Sequence, residues 1–258
     1  MTESAGSFSG RAQWPRCRPD TDRRRPGHRE SAGQRRPAGA DGLALELLRM
    51  DVLELAPGLW RWTAYHEEWK EDVGCVYCET DEGIVLIDPL VPADDAGRFW
   101  RALDRDVRRL HAAVHVLVTI FWHTRSAAAM VTRYDARVWA PRAARAAVAR
   151  RAGVVTDAFR PGDRLPGGIE ARRTARSTEV VYWLPFERAL VPGDVLLGDG
   201  AGGVRMCPES WIPAPRTHED LAASLEPLLD LPVERILLSH GEPVVTAARQ
   251  RLARALAI

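Results

Sequence analysis

A chain of 258 residues, 46% of them hydrophobic and 28% charged, is long enough to bury one sizeable core. With 36 basic and 35 acidic residues and a formal net charge of +1, it lacks the basic excess that marks a nucleic-acid or anionic-membrane surface. No apolar run reaches the ~18–20 residues of a membrane span, and the four cysteines (Cys17, Cys75, Cys78, Cys207) are too few and scattered for a disulfide framework. The N-terminus has no apolar signal core either, so the expectation is a cytoplasmic protein with a small-molecule ligand or substrate, and no nucleic-acid or membrane partner.

Charge is uneven along the chain: ten arginines against six acids up to Arg49, then 26 basic against 29 acidic residues. Residues 1 to about 40 are rich in Arg, Pro, Gly and Ser, with almost nothing apolar at helical or strand spacing, and the segment ahead of the folded domain is taken as 1–49. Burial there cannot repay the entropy of ordering, so disorder is expected. Met50 is followed at once by "DVLELAPGLWRW", which reads as the opening of a folded domain over 50–258. The upstream segment is then either a basic tail or sequence ahead of the true start.

From there "LWRW" (59–62), "GCVYCET" (74–80) and "GIVLID" (83–88) predict short strands, with "TDEG" as a hairpin turn. A helix over about 93–110, the strand "VHVLVT", a helix over 126–134, the strand "ARVWA" and a helix over 141–151 follow in αβ alternation. "IEARRT" (169–174), "EVVYWL" (179–184), "RALVPGD" (188–194) and "VLL" make a second β-rich run. A helix over 218–229 starts at Thr217 with Asp220 three residues on, a capping-box pattern; the strand "RILLSH" (235–240) and a helix over about 245–256 close the chain. Two halves of this kind can stack their sheets face to face with helices outside. The fold class expected is α/β (α+β), a four-layer αββα sandwich.

Four landmarks, "GIVLIDPL" (83–90), "VLVT" (116–119) with its following turn, "VPGDVLL" (191–197) and "LLSHGEPV" (237–244), give the chain from about 53 to 245 a specific likeness. In order and rough interval it resembles the metallo-β-lactamase-fold hydrolase superfamily. The resemblance implies that sandwich and metal-assisted hydrolysis of a small ester, thioester, lactone or phosphate-type substrate. In that superfamily the strand-ending threonine is followed by His-x-His-x-Asp-His, with further ligands in a mid-chain histidine, a Gly-Asp step and a late strand-end histidine. Anchored on Thr119, the four places hold Ile120, Trp122, Thr124 and Arg125, none a normal zinc ligand, and the stretch 173–180 has no histidine.

What survives is Asp194, His240 and an out-of-register His123. Three ligands suit a single zinc, iron or manganese ion and are too few for two. In this reading His123, Asp194 and His240 are metal ligands, with Asp194 and His240 also assisting proton transfer. The alternative is a metal-free pseudoenzyme that binds a small anionic ligand in the former pocket. Without metal, Asp194 would be a stranded buried carboxylate, so Arg125 is expected within salt-bridge reach of it, with Arg176 nearby, as replacement charge. Such guanidinium forks also suit carboxylate or phosphate ligands.

Asp88 ends a strand at the expected mouth and either orients a neighbour or caps its turn. "YHEEWK" (65–70) brings His66, Glu67 and Trp69 as loop residues that touch a ligand or stay solvated. Cys75 and Cys78, three apart in a strand, are expected on opposite faces as packing residues. His111, His115 and His218 have no second ligand at useful spacing.

Overall fold

The computed structural model of the chain describes residues 51–153, 155 and 157–257. The readings made for residues 1–49, and the boundary at Met50, lie outside them. The first sheet has seven strands in chain order: β1 Val52–Ala56, β2 Leu59–His66, β3 Glu71–Thr80, β4 Gly83–Ile87, β5 Val114–Leu117, β6 Arg137–Pro141 and β7 Asp157–Phe159. β1 to β4 form an antiparallel meander. β4 to β7 run parallel, because the helices α1 Ala96–Leu110, α2 Ala127–Tyr134 and α3 Arg145–Ala152 carry the chain back between them.

The second sheet comprises β8 Glu170–Arg173, β9 Val180–Leu184 and β10 Ala189–Val191, beside a hairpin of β11 Leu196–Gly198 and β12 Val204–Met206. Helix α4 His218–Leu225 precedes β13 Arg235–Ile236, which pairs parallel with β10, and α5 Ala248–Leu256 ends the described chain.

Alternation along the strands creates the layers. On β3 and β4, Cys75, Tyr77, Ile84 and Leu86 face α1 to α3, where they pack with Phe99, Leu103, Met130 and Val148. Their neighbours Val76, Cys78, Val85 and Ile87 face inward against Val180, Tyr182, Leu184 and Val191 of the second sheet. The far side of that sheet, with Val181, Trp183 and Leu190, packs on Leu221 and Leu225 of α4 and Leu252 of α5. This is the four-layer αββα order the sequence led us to expect, with Cys75 and Cys78 buried on opposite faces.

Four elements differ from expectation, the first being the strand over 188–194, of which only Ala189–Val191 forms β10. The 141–151 helix opens as a 3-10 turn over Arg142–Ala144 before α3 begins. The 218–229 helix keeps its Thr217–Asp220 capping box but is α-helical only to Leu225, with Pro227 inside the 3-10 turn that follows. The 235–240 strand shortens to two residues, because after Ile236 the chain turns back to bridge to Val244.

One end of the sandwich is stitched by contacts between the sheets. Gly74 N–H donates to Ser239 O at 2.7 Å, so close that a Cβ on Gly74 would lie 2.3 Å from Leu238 O. The buried Arg61 donates to Gly241 O at 2.7 Å, and Val180 N–H donates to Thr119 O at 3.1 Å. Strand ends from both halves therefore meet here.

Candidate metal centre

At this end Asp88 leaves β4 with a left-handed backbone (φ 50°) and turns its carboxylate back onto the end of β5. Its Oδ1 accepts from Thr119 N–H at 2.8 Å, and its Oδ2 accepts from Thr119 Oγ1. A 3-10 turn over Phe121–Thr124 then lifts His123 into the gap, fully buried. His123 Nδ1 lies 2.8 Å from Asp88 Oδ2. A carboxylate only accepts, so the ring proton sits on Nδ1 and the Nε2 lone pair is left facing inward. Asp88 thus orients a neighbour, and that neighbour is His123.

Opposite stands Asp194, 3% exposed, just beyond β10. Gly193 precedes it with φ +60°, and a Cβ there would lie 2.8 Å from Glu179 Oε1, so glycine is required. Asp194 N–H donates to that same Glu179 Oε1 at 2.6 Å, and Trp122 Nε1–H donates to Asp194 Oδ2 at 2.7 Å. With Oδ2 engaged, Oδ1 points at the histidines: His123 Nε2 is 3.1 Å away and His240 Nε2 3.2 Å. His240, after β13, mirrors His123, since its Nδ1 sits 2.6 Å from Glu71 Oε1.

The ligand atoms of His123, Asp194 and His240 all lie within 4.8 Å of one another. Asp194 Oδ1 is within ion-pair reach of both Nε2 atoms, and beyond these contacts His123 Nε2 and Asp194 Oδ1 are buried without a hydrogen-bond partner. Polar atoms buried this way are costly. Ligands about 2.0–2.1 Å from a tetrahedral zinc stand about 3.3 Å apart. The separations of 3.1 and 3.2 Å fit that spacing, and the donor set of two neutral imidazoles and one carboxylate suits zinc, iron or manganese. The residues present therefore fit one divalent ion.

Electrostatics agree with a cation-seeking site. Burial alone would raise the Asp194 carboxyl, but His123 and His240 hold it well below the usual range. Burial likewise opposes charge on His240, yet Asp194 and Glu71 outweigh it and push the imidazole up to about 9. His123 is raised as well, with Asp194 and Asp88 overcoming burial and the nearby Arg125.

The expected Arg125–Asp194 salt bridge is corrected. Among the described residues no ion pair joins them; the Arg125 guanidinium donates instead to Gly74 O at 3.1 Å, Asp88 O at 2.8 Å and Ser239 Oγ at 2.7 Å. Asp194 already faces two imidazoles and an indole N–H, whereas the carbonyls where the sheets meet need donors. Arg125 takes a strained backbone (φ 36°, ψ −110°) to reach them. Arg176 is also unpaired with Asp194; its NH1 donates to Glu179 Oε2 at 2.6 Å, which places it one residue behind the site.

Of the loop residues, Trp69 lies over the centre, its ring 5.7 Å from that of His123 and 6.2 Å from that of His240, with His66 stacked on it at 3.9 Å. Glu67 turns away to Lys70 in solvent. His218 Nε2–H donates to Cys207 O, His115 lies in β5 near Glu82 O, and neither is among the three grouped ligands. Sequence reasoning passed over Glu71, Glu179 and the indole of Trp122. Glu179 did leave a signal, an acid at the mouth of the wholly apolar run "VVYWL".

Among solved structures, a metallo-β-lactamase from Pontibacter korlensis aligns with a TM-score of 0.60 at 16% identity, over 81% of this chain and 99% of that one. The DIM-1 metallo-β-lactamase gives 0.61 at 11% identity over 80% and 96%, and the IND-7 enzyme 0.58 at 15% over 81% and 98%. No protein-family model and no curated protein matches the chain. The chain has the metallo-β-lactamase fold, and at these identities the likeness concerns the fold alone.

Proposed function

We propose that this protein is a metal-assisted hydrolase with one divalent ion, held by His123, Asp194 and His240, acting on a small ester, thioester, lactone or phosphate-type substrate. The observation that carries the reading is the convergence of Nε2, Oδ1 and Nε2 within 4.8 Å of one another in a buried place. When bound, the ion supplies Lewis acidity: it lowers the pKa of water and polarises a carbonyl or phosphoryl oxygen.

The chain's own residues do the rest. Asp88 and Glu71 hold the Nδ1 protons, so both Nε2 atoms stay available. Trp122 fixes Asp194 Oδ2, so that Oδ1 faces the centre. His240 is the most exposed of the three ligands, at 13%, and in the metal-free state its Nε2, beside Asp194 Oδ1, is where a proton would be held. Trp69 and His66 wall the entrance. Arg125, which donates to the neutral acceptors Gly74 O, Asp88 O and Ser239 Oγ, sits 5.7 Å from the Trp69 ring, where a cation would favour an anionic substituent on the substrate. The buried free thiols Cys75, Cys78 and Cys207 suit a reducing, cytoplasmic compartment, and no helix among the described residues is long and apolar enough to cross a membrane.

A metal-free binding protein is the second reading. It is favoured by one observation, that the raised pKa values of His123 and His240 can neutralise Asp194 with protons alone. The two readings separate in a turnover assay on ester, thioester, lactone and phosphate substrates, run on chelated and zinc-, iron- or manganese-reconstituted protein. Hydrolysis restored by the metal and lost in His240→Ala supports the hydrolase. Absence of turnover across the panel in fully reconstituted protein overturns it in favour of a binding protein.

A further inference from the structure

The group behind Asp194 is unusual in its composition. Arg176, 3% exposed, donates through NH1 to Glu179 Oε2 at 2.6 Å and through NH2 to Cys207 Sγ at 3.2 Å, and its guanidinium carbon lies 6.0 Å from the centre of the Trp122 ring. A carboxylate oxygen and a cysteine sulfur are metal-ligand types, and here they surround a guanidinium. Two short routes connect that guanidinium to Asp194. Glu179 spans one, its Oε2 on Arg176 and its Oε1 on Asp194 N–H. Trp122 spans the other, its ring beside Arg176 and its Nε1–H on Asp194 Oδ2.

We propose that the Arg176 guanidinium is a fixed, built-in cation that takes the place of a second metal ion and restricts the centre to one exchangeable ion. The inference rests on the metal-centre reading above and extends it. Asp194 can give only Oδ1 to an ion, because Trp122 holds Oδ2; behind it, Glu179 and Cys207, two further groups of ligand type, are already engaged by Arg176. Arg176 is therefore a positioning residue: it donates to the buried Glu179, and Glu179 holds the backbone of Asp194.

Cobalt(II) titration followed by elemental analysis and ultraviolet absorption tests this. Wild-type protein is expected to bind one cobalt per chain without a sulfur-to-cobalt charge-transfer band, since Cys207 is capped. Arg176→Gly is expected to bind a second cobalt, with that band as the Cys207 thiol gives its proton to solvent. Millimolar guanidinium, against a urea and sodium chloride control, is expected to return the stoichiometry to one. The same variant is expected to lose about 10 °C in Tm, largely regained with guanidinium. Arg176→Lys, which keeps the charge but not the fork, guards against misfolding of the glycine variant and is expected to stay at one cobalt.

Two cobalt ions or the sulfur band in the wild type, two ions in Arg176→Lys, or a folded Arg176→Gly indifferent to guanidinium would each overturn the proposal. A wild type that binds no cobalt overturns the metal centre instead, and guanidinium rescue of Tm then reads the Arg176 charge by itself.

Discussion

His240 is one imidazole between two carboxylates, with Glu71 on Nδ1 and Asp194 beside Nε2. In the metal-free protein its pKa stands above the ordinary histidine value, at about 9. The folded state thus holds this proton more tightly than the unfolded chain does. That contribution to stability is complete below the ordinary value of about 6.5 and disappears as pH rises through about 9. Metal must displace the same proton, so zinc affinity should climb between these limits and level off above them. Calorimetric titration in buffers of different ionisation enthalpy measures the released proton; affinity independent of pH across that window would contradict the assignment. At this scale the sequence was legible in residue type and misleading in partner. His123, Asp194 and His240 do meet, but Arg125 does not pair with Asp194, and Trp122 serves as a hydrogen-bond donor where only its failure as a ligand was noted. Side-chain pairing between positions 72 or 169 apart, as in Trp122–Asp194 and His240–Glu71, leaves no local trace.

The elements explain why these side chains converge. Each key residue sits just beyond the end of a strand: Asp88 after β4, His123 in the turn after β5, Asp194 after β10 and His240 after β13. Backbone geometry there is exacting, and Gly193 is its tightest point. Gly193→Ala is expected to cost about 1–3 kcal/mol from the left-handed backbone alone. The Cβ also displaces Glu179 from Asp194 N–H, so zinc retention should fall together with the denaturant midpoint. A variant of wild-type stability with full zinc would refute the role given to this turn. Strands and helices were legible from alternation and capping, as the Thr217–Asp220 box shows. Element ends were less so: the two-residue β13 depends on the bridge from Ile236 to Val244, which no local propensity encodes.

Across the whole molecule, the two sheets share a core in which Tyr182 is fully buried and donates through its hydroxyl to Val118 O at 2.9 Å. Tyr182→Phe keeps the ring and leaves that carbonyl without its donor, an expected loss of about 1–3 kcal/mol in urea unfolding with metal content unchanged. Metal loss in that variant would show that the centre depends on the core as a whole. The sandwich was legible because its landmarks are the buried strands and their exits, which a hydrophobic pattern records in order. How the halves are stitched was not, because Gly74 to Ser239, Arg61 to Gly241 and Arg125 to Ser239 are contacts between distant strands.

The most direct test of the account is the metal content, by elemental mass spectrometry, of protein purified without a histidine tag, compared with Asp194→Ala and His240→Ala. The account predicts close to one zinc, iron or manganese per chain in the wild type and near none in either variant. A wild type without metal after reconstitution, or one whose metal survives both substitutions, would contradict it.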